Sequence, residues 1–385
     1  MRLLKRIALL TALTACLPLG AIECDALATL VPRLGDRVSE GFSMPLPTVS
    51  QVSRKQPFSI HFFLRDPVVR DGRIRVAARV ILRDPSGGIR FDSRDGIRIL
   101  DAPAAHPGRA RLHPAACRIV FGRDDPAGEY AADVAVTDLH SGRTAHGTAE
   151  ISLTDDIPEG HAFATMRELD DFLTGYYRAP DPGRILPAFR FFAGQLQELK
   201  KHRRFTPLSV MAWFYHALKS NPQLWRAFAA QTAALDPADR PHAAAVLAAL
   251  TGKGHRSPEK LRALYAPPEK LTAPRQLDAL WSEFFAAGNR KPVERLCAEA
   301  SRMPRGITPE AYGKLAAPTA EDKTKLLDHV MGRAALRSLE ANARKHPLVA
   351  ASIRSMLERK RITDPAAEKA LRRILRPRNA AAERR

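Results

Sequence analysis

Residues 144–177 read TAHGTAEISLTDDIPEGHAFATMRELDDFLTGYY, and the rhythm of the chain changes inside them. Up to Leu153 apolar and polar residues alternate, the two-residue period of a half-buried strand. From Met166 the apolar side chains Met166, Leu169, Phe172, Leu173 and Tyr176 recur at offsets of three and four, which puts one apolar stripe along a helix. Between them lies Asp155-Asp156-Ile157-Pro158-Glu159-Gly160, an acidic link with two breakers. A sheet module is therefore expected to end, and a helical one to begin, near residue 156.

Upstream, the runs Phe58–Phe62, Ile74–Leu82, Ile89–Phe91 and Cys117–Phe121 carry the same alternation, as do Gly128–Asp138 and Thr144–Leu153. The last two flank Leu139-His140-Ser141-Gly142-Arg143, whose Ser-Gly suits a tight hairpin turn. About seven short strands over residues 49–155 predict an antiparallel β-sandwich. The segment resembles an immunoglobulin-like or fibronectin-like domain of exported bacterial proteins. The resemblance rests on Ala127-Gly128-Glu129-Tyr130 entering a long strand and on Thr137-Asp138 followed by a hairpin into Ile151-Ser152-Leu153. It covers about a quarter of the chain, without the paired cysteines and core tryptophan of antibody domains, and it implies a spacer or docking module rather than an activity.

Downstream, residues 161–377 read as an all-α array of helical hairpins. Their turns carry proline: Ala179-Pro180-Asp181-Pro182, Ser220-Asn221-Pro222, Gly288-Asn289-Arg290-Lys291-Pro292 and Lys345-His346-Pro347. Asn or Gly closes one helix and Pro opens the next. The prolines at 182, 222, 292 and 347 follow no fixed period, so an irregular array is expected rather than a regular solenoid. The stretches around Tyr176-Tyr177, Asn221-Pro222 with Trp225, and Leu277–Gly288 are similar to helical regions of exported bacterial proteins of unassigned function. The expected fold class is thus multi-domain: an immunoglobulin-like antiparallel β-sandwich followed by an all-α, irregular repeat-like domain.

The chain has 385 residues, 45% of them hydrophobic and 26% charged, which excludes both a multi-span membrane protein and a wholly disordered chain. Arg2, Lys5 and Arg6 precede an uncharged apolar run from Ile7 to Leu19, the pattern of an export signal. Two ways of removing it are open. Cys24-Asp25-Ala26 offers ordinary signal peptidase its small residues, giving a leader of residues 1–26 and a linker of 27–48, and is slightly preferred. Leu13-Thr14-Ala15-Cys16 resembles a lipobox, and lipidation at Cys16 would tether the chain to a membrane face. In the first case Cys117 and Cys297 remain, far apart and without ligand-spaced partners, so two buried thiols are expected; in the second, Cys24 becomes available to Cys117.

Formal net charge is +20, and from Arg344 to Arg385 there are 13 Lys or Arg against four Asp or Glu. Helical spacing of Ile353, Met356, Leu357, Ala367, Leu371, Ile374 and Leu375 places the basic residues on the outside of two helices. Arg354, Arg359, Lys360, Arg361, Arg372, Arg373 and Arg376 form a candidate surface for a partner or an anion, followed by a basic tail at 378–385 expected to be disordered. Anionic lipid or lipopolysaccharide suits such a surface, as does a solvated face with no ligand, and export argues against nucleic acid.

Catalytic signatures are scarce. No His-Glu-x-x-His, no Gly-x-Ser-x-Gly elbow and no phosphate-cradling glycine loop occurs, and no cofactor or metal is implied. Asp170 and Asp171 point about 100° apart on one helix and cannot share a proton. Trp213, Trp225 and Trp281 fall on apolar stripes and read as core. His216 and His329 read as helix-face residues. Two functions remain: a periplasmic, secreted or lipid-anchored envelope protein that binds an unidentified envelope partner, and an envelope hydrolase acting on peptidoglycan or another polymer through scattered residues. The second predicts a cleft with a carboxylate whose pKa is raised.

Overall fold

Arg73–Arg83, RIRVAARVILR, is buried at every second position, at Ile74, Val76, Ala78, Val80 and Leu82. It forms a central strand, β4, of a six-stranded sheet. In this computed structural model the described residues are 22–31, 48–93, 98–103, 111–112, 117–155, 157, 159–201, 207–252, 258–266, 271–303, 306–315 and 317–376. The chain divides into two compact units between Asp155 and Asp156.

The first unit contains two sheets, one antiparallel and one mixed. β1 (Glu23–Thr29), β3 (Pro57–Arg65), β7 (Arg111–Leu112) and β8 (Cys117–Val120) form one, with β3 at its centre. The other runs β2 (Gln51–Ser53), β10 (Thr144–Thr154), β9 (Gly128–Asp138), β4, β5 (Ile89–Asp92), with β6 (Arg98–Pro103) also on β4. Only β2 on β10 is parallel among the described pairings. One core serves both sheets, with Phe58, Ile60 and Leu64 of β3 clustered with Val76, Val80, Tyr130 and Val134. Phe121 bridges them, its ring 5.3 Å from Phe58 and 4.5 Å from Tyr130.

The main departure from expectation is β1. Residues 22–29, read as the end of a leader and the start of a linker, pair antiparallel with β3 over the whole register Glu23↔Arg65 to Thr29↔Ser59. Ile22, Cys24, Leu27, Ala28 and Thr29 are buried. Alternation fails here because three consecutive residues, Leu27-Ala28-Thr29, are all buried, so the strand does not declare itself by period. β2, β6 and β7 were likewise unanticipated, being too short or too polar to show a pattern. Cys16 and the rest of residues 1–21, most of the 27–48 linker and the basic tail lie outside the described residues.

The second unit holds α1 (Met166–Gly175), α2 (Ile185–Lys200), α3 (Leu208–Ser220), α4 (Trp225–Ala233), α5 (Arg240–Thr251) and α6 (Pro258–Tyr265), then α7 (Arg275–Ala287), α8 (Lys291–Ala300), α9 (Pro309–Tyr312), α10 (Ala320–Lys345), α11 (Pro347–Glu358) and α12 (Pro365–Ile374). Proline opens α8, α11 and α12 and the 3-10 turns before α2 and α4, where its missing N–H costs no helical bond. Two apolar clusters meet on α7. Ala279 and Ala286 join the cluster of α2, α3 and α5, while Leu277, Leu280, Trp281 and Phe284 join that of α8, α10, α11 and α12. Trp213 and Trp281 are buried and Trp225 half-buried, so the tryptophans pack as core.

Candidate functional site

The basic residues from Arg354 to Arg376 lie on α11, on α12, in the turn between them and, for Arg376, just past the end of α12. α11 ends in a Schellman arrangement: Arg361 N–H donates to Met356 O at 3.0 Å and Lys360 N–H to Leu357 O at 3.1 Å. Lys360 occupies the left-handed position, φ +51°, where glycine is the usual residue. Ile362 then turns into the core beside Met356. Asp364 caps α12, its carboxylate accepting from Ala366 N–H and Ala367 N–H, both at 2.9 Å.

On α12, Ala367 and Leu371 are buried, so Lys369, Arg372 and Arg373, spaced three and four apart, run along the exposed side, and Arg376, also exposed, follows just past the helix end. Arg354, Arg359, Lys360 and Arg361 are exposed too. Arg361 sits 3.6 Å from Glu294, and Arg372 donates to Glu368 at 2.8 Å. Arg354, Arg359, Lys360, Lys369, Arg373 and Arg376 make no ion pair among the described residues. Lys369 belongs to the stripe although charge counting alone did not single it out; its spacing from Arg372 and Arg373 is the signal that finds it.

A shallow hollow of about 440 Å³ lies at the start of α1, lined by Thr165, Arg167, Glu168, Asp171, Phe172 and Arg184. Thr165 accepts from Glu168 N–H at 3.1 Å, and the Glu168 carboxylate accepts from Ala164 N–H at 3.1 Å and Arg184 at 2.5 Å. The guanidinium of Arg184 lies 4.1 Å from the Phe163 ring centroid. The Ala164 N–H, helped by Arg184, holds the Glu168 carboxyl below the usual range. Glu168 is thus an ionised cap rather than a general acid. The Thr-x-x-Glu spacing of 165–168 is a capping signal that the sequence reading passed over.

The buried ionisable groups hold helices to one another. His346 Nδ1 lies 3.1 Å from Tyr177 Oη and 2.9 Å from Arg178 Nη2, and Arg178 Nε donates to Tyr177 Oη at 3.1 Å. Burial, then the charges of Arg178 and Lys345, push the His346 pKa down to about 4. His216 Nε2 lies 3.0 Å from Tyr265 O and therefore carries its proton there; burial lowers its pKa as well. Arg302 joins Glu299 at 2.5 Å, Asp328 at 2.8 Å and Leu271 O at 3.1 Å.

Cys24 and Cys297 are buried with thiols pushed up to about 12, chiefly by burial, which removes both as nucleophiles at neutral pH. Cys117 is half-buried rather than buried, and Cys24 and Cys297 are free thiols. Burial raises the Asp278 carboxyl on α7, outside the hollow. Ser257-Pro258-Glu259-Lys260 carries a Ser-x-x-Lys spacing. Ser257 lies outside the described residues, Lys260 is exposed, and neither Ser-Asp-Asn nor Lys-Thr-Gly occurs in the chain. Among the described residues no group of three or more His, Cys, Asp or Glu is arranged to hold a metal ion, and no helix is long and apolar enough to cross a membrane.

No family model and no curated protein matches the chain. Among solved structures it is similar to a family 123 glycoside hydrolase from Clostridium perfringens at 11% identity, over 47% of this chain and 36% of that one, with a TM-score of 0.20. A superposition of that quality carries no argument about fold or chemistry.

Proposed function

We propose that the protein is an exported cell-envelope binding or scaffold protein, in which an immunoglobulin-like β-sandwich docks or spaces and the helical unit binds a protein partner. The parallel β2–β10 pairing, followed by β9, β4 and β5, supports the immunoglobulin-like reading. So does Tyr130 near the start of β9, whose hydroxyl donates to Pro126 O at 2.8 Å in the manner of a tyrosine corner. The observation that carries binding over hydrolysis is the placement of polar chemistry in the helical unit. Tyr177 with His346 joins one interhelical turn to another, His216 with Tyr265 joins two helices, and Arg302 ties the turn after α8 to Glu299 and to Asp328 of α10. Glu168, one of the two carboxylates that line the hollow, is held ionised, the opposite of what the hydrolase reading requires of a general acid.

The burial of β1 favours processing at Cys16 over a cut after Ala26. A cut at Ala26 removes Glu23–Ala26, including buried Cys24, from a strand that pairs along its full length. The intact mass of the exported protein tests this: a diacylated or triacylated chain starting at Cys16 is expected, and a chain starting at Leu27 overturns it. The binding reading is tested by photo-cross-linking the tagged full chain in cells from exposed positions on each unit. A recurrent protein adduct from helical positions is expected. Recovery of lipid or polysaccharide alone, or release of fragments from peptidoglycan by the purified protein, overturns it.

A further inference from the structure

The face that runs from Arg354 through the Arg359-Lys360-Arg361 turn to Lys369, Arg373 and Arg376 has a chemistry that points to one kind of partner. Six of its cations make no ion pair among the described residues, although Glu358, Asp364 and Glu368 lie in the same stretch of chain. Lys360 holds a left-handed backbone, a position where glycine fits without strain, and its side chain is exposed and outside the cluster that holds Met356 and Ile362. Between Pro347 and Arg376 the chain has no aromatic residue, so bases have no stacking platform. The apolar side chains of the two helices, Ile353, Met356, Leu357 and Leu371, are buried inside the unit and are not available to enter a bilayer.

What remains is a set of exposed cations on two consecutive helices and the turns that follow them, which can meet phosphates without inserting. We infer that this face is a docking surface for anionic phospholipid headgroups, bound peripherally and by charge alone. The inference rests on the envelope reading above for its setting, but it concerns a different surface chemistry from the protein partner. Each exposed cation near an anionic bilayer contributes additively, and the attraction fades within a Debye length of about 8 Å at physiological salt.

The test is co-sedimentation of the purified full chain carrying Cys16→Ser, so that no acyl chain adds to binding. Vesicles of phosphatidylcholine with phosphatidylglycerol are compared with phosphatidylcholine alone. Binding to the anionic vesicles that weakens steeply with salt is expected, with none to the neutral ones. Lys369→Gln with Arg373→Gln and Arg376→Gln, all exposed positions, should weaken it on the order of a hundredfold. Lys360→Gly should weaken it several-fold while raising Tm, a pairing that a purely structural lysine does not give. Equal binding to neutral vesicles, wild-type affinity in the triple variant, or preferential capture by duplex DNA in competition overturns the inference. Because only purified components are used, its failure leaves the search for a protein partner untouched, and the reverse holds as well.

Discussion

His346 and Tyr177 meet at 3.1 Å although 169 residues separate them, and this contact ties the turn between α10 and α11 to the residues that follow α1. Arg178 reinforces it by donating to both side chains and to Lys345 O. The imidazole must therefore stay neutral, with Nδ1 as acceptor, since its neighbours are cations and a phenol.

Acidification is expected to loosen the helical unit through this histidine. Its folded pKa of about 4 lies below the ordinary 6.5, so the unfolded chain binds the extra proton first. Stability is full above pH 6.5 and falls as pH drops towards 4, by on the order of 2 kcal/mol. Thermal melts from pH 7.5 to 4.5 check it. His346→Gln should be less stable than wild type at pH 7.5 and should show a shallower fall on acidification; parallel slopes would remove the assignment.

Arg302 closes a second long-range contact, with side-chain exposures of 19%, 11% and 23% for Arg302, Glu299 and Asp328. Arg302→Ala leaves two shielded carboxylates without their cation and frees Leu271 O. A loss of about 2 to 3 kcal/mol in urea denaturation is expected. Arg302→Lys keeps the charge but not the fork, and should recover only part of it.

Which of these features the sequence exposes follows from how local they are. The turns at Asn221-Pro222, Gly288 to Pro292 and His346-Pro347 are legible because proline and glycine dictate backbone angles by themselves. The strands β4, β9 and β10 are legible because one face of each is buried along eleven residues. β1 is not, because its partner Ser59–Arg65 lies some 36 residues on and its alternation breaks at Leu27-Ala28-Thr29. The basic face shows as charge, but the left-handed Lys360 hides, since the turn lacks the glycine that would announce it. Pairs such as Tyr177 with His346 leave no periodic trace at all.

Gly332, in the middle of α10, marks a place where two backbones touch. A β-carbon there would lie 2.4 Å from Met303 N and 2.7 Å from Met303 Cα. Ordinarily alanine is the better helix former by about 1 kcal/mol. Here Gly332→Ala should destabilise instead, by roughly 2 kcal/mol or more, because backbone cannot yield as a side chain can. An increase in Tm for this variant would show that the 303 segment does not cross α10 at that point.

Gly147 offers the same test for β1, and through it for the processing of the leader. A β-carbon at Gly147 on β10 would meet Cys24 O at 2.7 Å and Ala26 N at 2.9 Å, both backbone atoms of β1. Gly147→Ala should therefore cost about 1 to 3 kcal/mol in any chain that retains residues 22–29. In a chain beginning at Leu27 the obstructing carbonyl is gone, and the same substitution should be close to neutral, while that shorter chain is itself less stable for want of Cys24 and half a strand of pairing. Comparing urea midpoints of the four proteins separates the effects as a double cycle. A penalty that is equal in both chains would mean that β1 does not lie against β10, and the structural argument for a cut ahead of residue 22 would go with it.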